Sequence, residues 1–336
     1  MTAETLEMPG VRVSGALGLE AVHDAARRLL GAIVRTPVLE SQTLNQMLGA
    51  RVLIKAESLQ SGGSFKFRGA LNALLAQPER PREVVAYSSG NHAIGVAMAC
   101  RLLEIPVTVV MPADAPSIKL AKVREAGGNV VFYRRDRDDR NAIAEQVRAA
   151  CGGLLIPSFD DAQVIAGQGT VALELIETAQ QQGLHLEQLF VPCGGGGLVA
   201  GSCIASVQAG PGCSVVAVEP QGFDRVGRAW RAEAPDRNAS TCGSICDALL
   251  TAMPSRLLLG LPQFKRLQTS CVDDAGVARA VAFAHQELGL MLEPSGAIAL
   301  AAVLKGNAKV RGKTIGVICS GANIDPHVHQ RCIDGC

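Results

Sequence analysis

Lys66 stands between Phe65 and Phe67 in the stretch SGGSFKFRGALNALL, in a chain with eight lysines against 24 arginines. An ammonium group among aromatic neighbours at the start of an apolar helix is partly desolvated. That disfavours the charged form and leaves a nucleophilic amine able to condense with an aldehyde. A second group is Gly194, Gly195, Gly196 and Gly197, four consecutive glycines between LFVPC and LVAGSCIASVQA. With 36 glycines in 336 residues, a run of four arises by chance about 0.04 times per chain. A strand-to-helix turn without Cβ atoms lets several backbone N–H groups converge on a phosphate at the helix N-terminus. The run is neither the spaced GxGxxG of dinucleotide folds nor a P-loop, since no Lys-Ser/Thr pair follows it. A third cluster, Ser88, Ser89, Gly90, Asn91 and His92, follows the apolar run VVAY, where hydroxyl and amide groups at a helix start offer donors to an anion. Ser320 follows TIGVIC in the same way, and Glu293 to Ser295 open the helical stretch EPSGAIALAA.

These groups need a scaffold. Val- and Ile-rich runs at 84–89, 107–112, 129–133, 189–193, 214–220 and 314–321 read as buried parallel strands. Between them lie helical stretches such as HAIGVAMACRLLE, DRNAIAEQVRAACG and GVARAVAFAHQELG, several ending at a glycine as a helix C-cap would. Alternation of strand and helix predicts an α/β fold with parallel sheets flanked by helices. PERPRE at 78–83, the charge run RRDRDDR at 134–140 and the stretch 233–244 read as loops.

A soft prior of about 150 residues per domain makes two domains the expectation for 336 residues. Aromatics are scarce at 3%, so aliphatic side chains must fill the core. A net charge of +1 gives no electrostatic case for nucleic acid or acidic membranes and favours a small-molecule enzyme. Eleven cysteines without a CxxC pair predict free thiols in a cytoplasmic protein rather than a disulfide framework or a zinc site. The first fifteen residues lack a basic start and an apolar core, so no export is expected, and no apolar run is long enough to span a membrane.

An amine, an anion cradle and ring-facing hydroxyl and amide groups are together what one phosphorylated aldehyde cofactor requires. In these motifs the chain resembles the fold-type II pyridoxal-phosphate enzymes, in the serine/threonine dehydratase and serine racemase branch. SFKFRGA is similar to the branch's lysine motif, SSGNH to its substrate loop, VIAGQGT at 164–170 to its connecting helix, PCGGGGLVAG to its phosphate loop and CSGANID to its ring-nitrogen motif. The matches run in family order from about residue 35 to 325.

The resemblance implies two open, twisted, mostly parallel sheets. Residues 1–82 and 156–336 would form a large cofactor-binding domain, and 83–155 a small domain that closes over the substrate. It implies pyridoxal 5'-phosphate as a Schiff base on Lys66, with Phe65 near the ring, Asn91 on the ring hydroxyl and Ser320 at the pyridine nitrogen. Gly194, Gly195, Gly196, Gly197 and Leu198 would hold the phosphate. Ser88, Ser89, Asn91 and His92 would surround the substrate carboxylate, and Arg140 falls where the racemase branch places a carboxylate-binding arginine. A homodimer is the family expectation, with a small amino acid as the substrate. The chain departs from the pattern at Ala322, where the motif usually has glycine, and at IPSFDDAQ, which replaces the racemase-like HPN. The branch's cation site begins at the residue matching Glu219, but Arg225 stands where a second acidic ligand belongs, and Asp224 comes one position early. No metal is therefore expected, Glu219 being the one position that could contribute to a site.

The implied reaction is dehydration of a 3-hydroxy amino acid, threonine or serine first, to a 2-oxo acid and ammonia. Lys66 would be the base. Ser89 would be a second catalytic group if the chain racemises its substrate, as serine racemases do. A lyase for another 3-hydroxy amino acid, such as 3-hydroxyaspartate, is the other alternative. The length matches a catalytic core without an appended regulatory domain. A nicotinamide-dependent oxidoreductase would account for the glycine turn but not for Lys66 or Ser320.

Overall fold

The computed structural model describes residues 17–335, except 211, 234–237, 239, 241, 307 and 308. The N-terminal fifteen residues, part of the 233–244 stretch and Cys336 lie outside the described residues.

Among the described residues ten strands form two sheets: β1 (Val38–Leu39), β2 (Arg51–Ala56), β3 (Val84–Tyr87), β4 (Val107–Pro112), β5 (Asn129–Tyr133), β6 (Leu154–Leu155), β7 (Gln188–Pro192), β8 (Ser214–Pro220), β9 (Gln268–Val272) and β10 (Thr314–Cys319). The larger sheet has the order β1-β2-β10-β7-β8-β9 and the smaller β5-β4-β3-β6. Every pairing is parallel except β1 with β2. Two mostly parallel sheets flanked by helices are what the sequence predicts.

The central strands are buried along nearly their whole length because both faces are covered. β7 is buried at all five positions, and separate apolar clusters lie on the two sides of the larger sheet. The six apolar runs all emerge as strands, within one or two residues of the predicted bounds. Four strands carry no such signal. β9, QTSCV, is a half-exposed edge strand, and β1 and β6 are two residues long. β2 is buried yet contains Lys55, whose charge makes the run read as surface.

Lys55 is tolerated because its ammonium donates to Glu174 at 2.6 Å and to the Thr36 carbonyl at 2.6 Å. The fully buried Arg68 makes paired hydrogen bonds to both Glu57 and Glu174, at 2.7–2.9 Å. These two cations and two carboxylates bind β2, the long helix Ala162–Gln181 and the helix Lys66–Leu75 to one another. The ten described cysteines are free thiols. No helix among the described residues is long and apolar enough to cross a membrane.

Candidate active site

One pocket opens at the carboxyl ends of the strands, between the two sheets. Its walls come from the segments after β3 (Ser88 to His92), β7 (Gly194 to Leu198) and β10 (Ser320), and from Phe65 and Lys66. Arg140 completes the wall from the start of the helix Arg140–Cys151. Every residue that the sequence assigns to cofactor or substrate therefore meets in one place. Glu219 does not line it.

Lys66 starts its helix, and its Nζ donates to the Ser158 carbonyl at 2.7 Å, 5.2 Å from the centre of the Phe65 ring. Burial lowers its pKa to about 8, and among the described residues no carboxylate is paired with it. Attachment of pyridoxal phosphate to the cofactor-free protein should accelerate with rising pH and level off above about 8, because only the neutral amine attacks the aldehyde. Stopped-flow absorbance across the neutral to alkaline range measures this. A midpoint near the ordinary lysine value would contradict the desolvated environment.

The glycine loop is shaped from behind. A Cβ on Gly195 would lie 2.1 Å from the Phe159 ring, and Gly196 has φ +100°, in the left-handed region that favours glycine. Its carbonyls face away from the pocket: that of Gly195 accepts from Ser255 N–H at 2.8 Å, and that of Gly194 from the Arg225 guanidinium. Among the described residues none of the N–H groups of Gly194, Gly195, Gly196, Gly197 and Leu198 has a protein acceptor. The helix Gly197–Ala205 has no side-chain cap, whereas Asp139, Asp161 and Asp273 cap helices elsewhere. Uncapped N–H groups around a space without Cβ atoms suit a phosphate.

The helix Asn91–Leu102 also begins without a side-chain cap, at Gly90. The N–H groups of Ser89, Asn91 and His92 have no protein acceptor among the described residues, so a carboxylate can take them. The His92 ring is turned inward, with Nε2 3.0 Å from the Ile156 carbonyl. A carbonyl only accepts, so Nε2 carries the hydrogen. Burial, with the Lys66 charge adding to it, lowers the His92 pKa to about 3. The ring is thus neutral and lends no positive charge to a carboxylate.

Asn91 is fixed on both sides: its amide nitrogen donates to Glu293, and its oxygen accepts from Asn323 at 2.8 Å. One amide hydrogen remains for a ring hydroxyl. The Ser320 carbonyl accepts from Phe65 N–H at 3.2 Å, which ties the end of β10 to the lysine. Its hydroxyl has no partner among the described residues. The Ala322 backbone N–H donates to the Gly63 carbonyl at 2.8 Å, and its φ is not positive, so the backbone there does not require glycine.

Sequence reading missed Lys119, Asp247, Arg135 and Tyr87. Lys119 is buried, donates to Asp247 at 2.7 Å and lies 3.1 Å from Glu293. Burial opposes its charge, but the two carboxylates hold the ammonium above its ordinary range. Burial pushes Glu293 upward, against the pull of Lys119. The scarcity of lysine was the available signal, because Lys55 and Lys119 are buried and Lys66 is recessed in the pocket.

Residues 29–321 match the family model described as pyridoxal-phosphate dependent enzyme. The chain is 39% identical over 322 residues to an L-threo-3-hydroxyaspartate ammonia-lyase of Pseudomonas sp, covering 94% of this chain and 99% of that protein. It is 36% identical over 306 residues to a serine racemase of Schizosaccharomyces pombe, covering 90% and 93%. The crystal structure of a T.th. threonine deaminase superposes with a TM-score of 0.85 at 37% identity, covering 92% of this chain and 99% of that one. Together with a desolvated lysine, a Cβ-free anion cradle and a neutral hydroxyl in one pocket, these matches place the chain in the fold-type II pyridoxal-phosphate dependent enzymes, with pyridoxal phosphate as its cofactor.

Proposed function

We propose that this chain is an ammonia-lyase that dehydrates a 3-hydroxy amino acid, with 3-hydroxyaspartate preferred over threonine and serine. The observation that carries the preference is Arg140. It lies 5.5 Å over the Tyr87 ring, lines the pocket and has no carboxylate partner among the described residues. Its neighbour Arg135 is already engaged by Asp114, at 2.8 and 3.1 Å. A free guanidinium beside an anion-binding helix start suits a substrate with two carboxylates: the α-carboxylate on the N–H groups of Ser89, Asn91 and His92, with Ser88 beside it, and the distal one on Arg140. The 39% identical relative with a 3-hydroxyaspartate ammonia-lyase name supports the same reading.

The cofactor, when bound, withdraws electrons from the substrate Cα. Lys66 Nζ takes the α-proton, and the β-hydroxyl leaves as water after gaining a proton. Hydrolysis of the released product gives the 2-oxo acid and ammonia, without net oxidation or reduction. Gly194, Gly195, Gly196, Gly197 and Leu198 would hold the phosphate, Phe65 would pack against the ring and Asn91 would donate to its hydroxyl. Ser320, being neutral, does not hold a proton on the ring nitrogen as a carboxylate would, which favours loss of the β-substituent. The unit of residues 83–155 closes over the substrate and excludes water. The ion pairs from Lys119 to Asp247 and Glu293 support this, since they link that unit to the larger sheet's side.

Arg140→Ala should lower kcat/KM for 3-hydroxyaspartate about 10–100-fold, the loss expected for hydrogen bonds to a charged group, and leave serine turnover unchanged. Ammonia and 2-oxo acid release measure it; equal losses on both substrates would contradict the assignment. A racemase reading draws support from Ser89, whose side chain belongs to the same wall. Optical rotation of recovered substrate in the same assay decides between the two.

A further inference from the structure

Glu219 and Arg225 occupy the place where the sequence resemblance puts a cation site, and they do not fit a metal. Both Glu219 carboxylate oxygens are taken, one by Val226 N–H at 3.0 Å and one by Gly227 N–H at 2.8 Å. Arg225 is fully buried, and its guanidinium fills the neighbouring space. It donates to the Gly194 carbonyl, and its other nitrogen lies 3.4 Å from the Phe223 carbonyl and 3.5 Å from that of Leu249. Among the described residues no three His, Cys, Asp or Glu side chains gather as a metal site.

Three backbone carbonyls, those of Gly194, Phe223 and Leu249, make an oxygen cage of the kind hard cations take, and Glu219 acts on it only electrostatically, from beyond ion-pair distance. Here a guanidinium is already inside it, and one of the carbonyls belongs to the glycine loop. The geometry points to Arg225 as a tethered cation: it fills the cage behind the loop, makes a dissociable ion unnecessary and holds the Gly194 carbonyl turned away from the pocket. Arg225 is thus a positioning residue. Its effect on cofactor affinity rests on the reading of the loop as the phosphate cradle; its effect on the cage does not.

Thermal melting of the cofactor-free protein and titration with pyridoxal phosphate are measured in choline chloride with EDTA, then with MgCl₂, CaCl₂ or KCl at constant ionic strength. The wild type should melt and bind alike in all of them. Arg225→Ala should melt lower and lose about 10–100-fold in cofactor affinity, the range expected when charged hydrogen bonds behind a bound group are removed. One of the added cations, or millimolar guanidinium, should restore both, and Arg225→Lys should fall closer to the wild type. The proposal is overturned by a wild type that EDTA weakens and a metal restores, by an alanine variant unchanged in both measurements, or by a folded alanine variant that no cation rescues. Rescued melting with unchanged cofactor affinity supports the tethered cation and overturns the phosphate role of the loop. If the alanine variant does not fold, the wild-type and lysine arms decide: a folded lysine variant that needs an added cation overturns it.

Discussion

Lys66→Ala should lower ammonia release by at least about 10²–10⁴-fold, the range that one positioned general base contributes. In the proposed mechanism Lys66 would also anchor the cofactor, so the loss should fall at the upper end. The fold should survive. Among the described residues the Lys66 ammonium has a single polar partner, the Ser158 carbonyl, and its removal leaves none of their carboxylates unpaired. Lys66→Arg is a useful control, since it keeps a cation at the position but provides no neutral amine at working pH. Visible absorbance after incubation with pyridoxal phosphate, ammonia release and the melting temperature together separate loss of chemistry from loss of structure. An alanine variant that turns over within tenfold of the wild type would refute Lys66 as the base.

Arg68→Leu should have the largest effect on stability. Two residues along the same helix from Lys66, Arg68 is fully buried and shared between Glu57 and Glu174. Lys55 alone would then face two buried carboxylates, leaving one negative charge uncompensated. Breaking a buried ion pair from one side costs about 3–5 kcal/mol, far more than an exposed pair. Urea denaturation at neutral pH measures this as a lower midpoint. A loss below about 1 kcal/mol would mean that the cluster is much better hydrated than its burial indicates.

Glu174 contributes one acid-side component of the pH dependence of stability. Burial alone would raise its carboxyl, but Arg68 and then Lys55 hold it below its ordinary value of 4.5 in the folded protein. A lowered folded pKa contributes stability that is present above 4.5 and is lost as pH falls through the folded value. In Arg68→Leu most of that contribution is gone, so the difference between variant and wild type should shrink as the pH falls below the ordinary carboxylate range.

The α/β class, the pocket lysine, the glycine turn and the pocket-lining loop after β3 were legible because each depends on a few contiguous residues. An apolar run of six marks a doubly covered strand, and four glycines in a row mark a turn without side chains. β2 was not legible, since its penultimate Lys55 can be buried only with partners distant in sequence, the Thr36 carbonyl and Glu174, the latter 119 positions away. For the same reason nothing local marked Lys119 as buried. Its partners Asp247 and Glu293 come from distant parts of the chain.

From its own pattern the sequence determined which short segments become strands and helices and which side chains could carry chemistry, because periodicity and local sterics act over a few residues. Tertiary structure alone decided that Arg140 stays free while Arg135 is paired, that Asn91 is held by Glu293 and Asn323, and that a guanidinium fills the cage behind Gly194. Those outcomes depend on burial and on charges that meet only when the two sheets and their loops pack, and no local pattern records them.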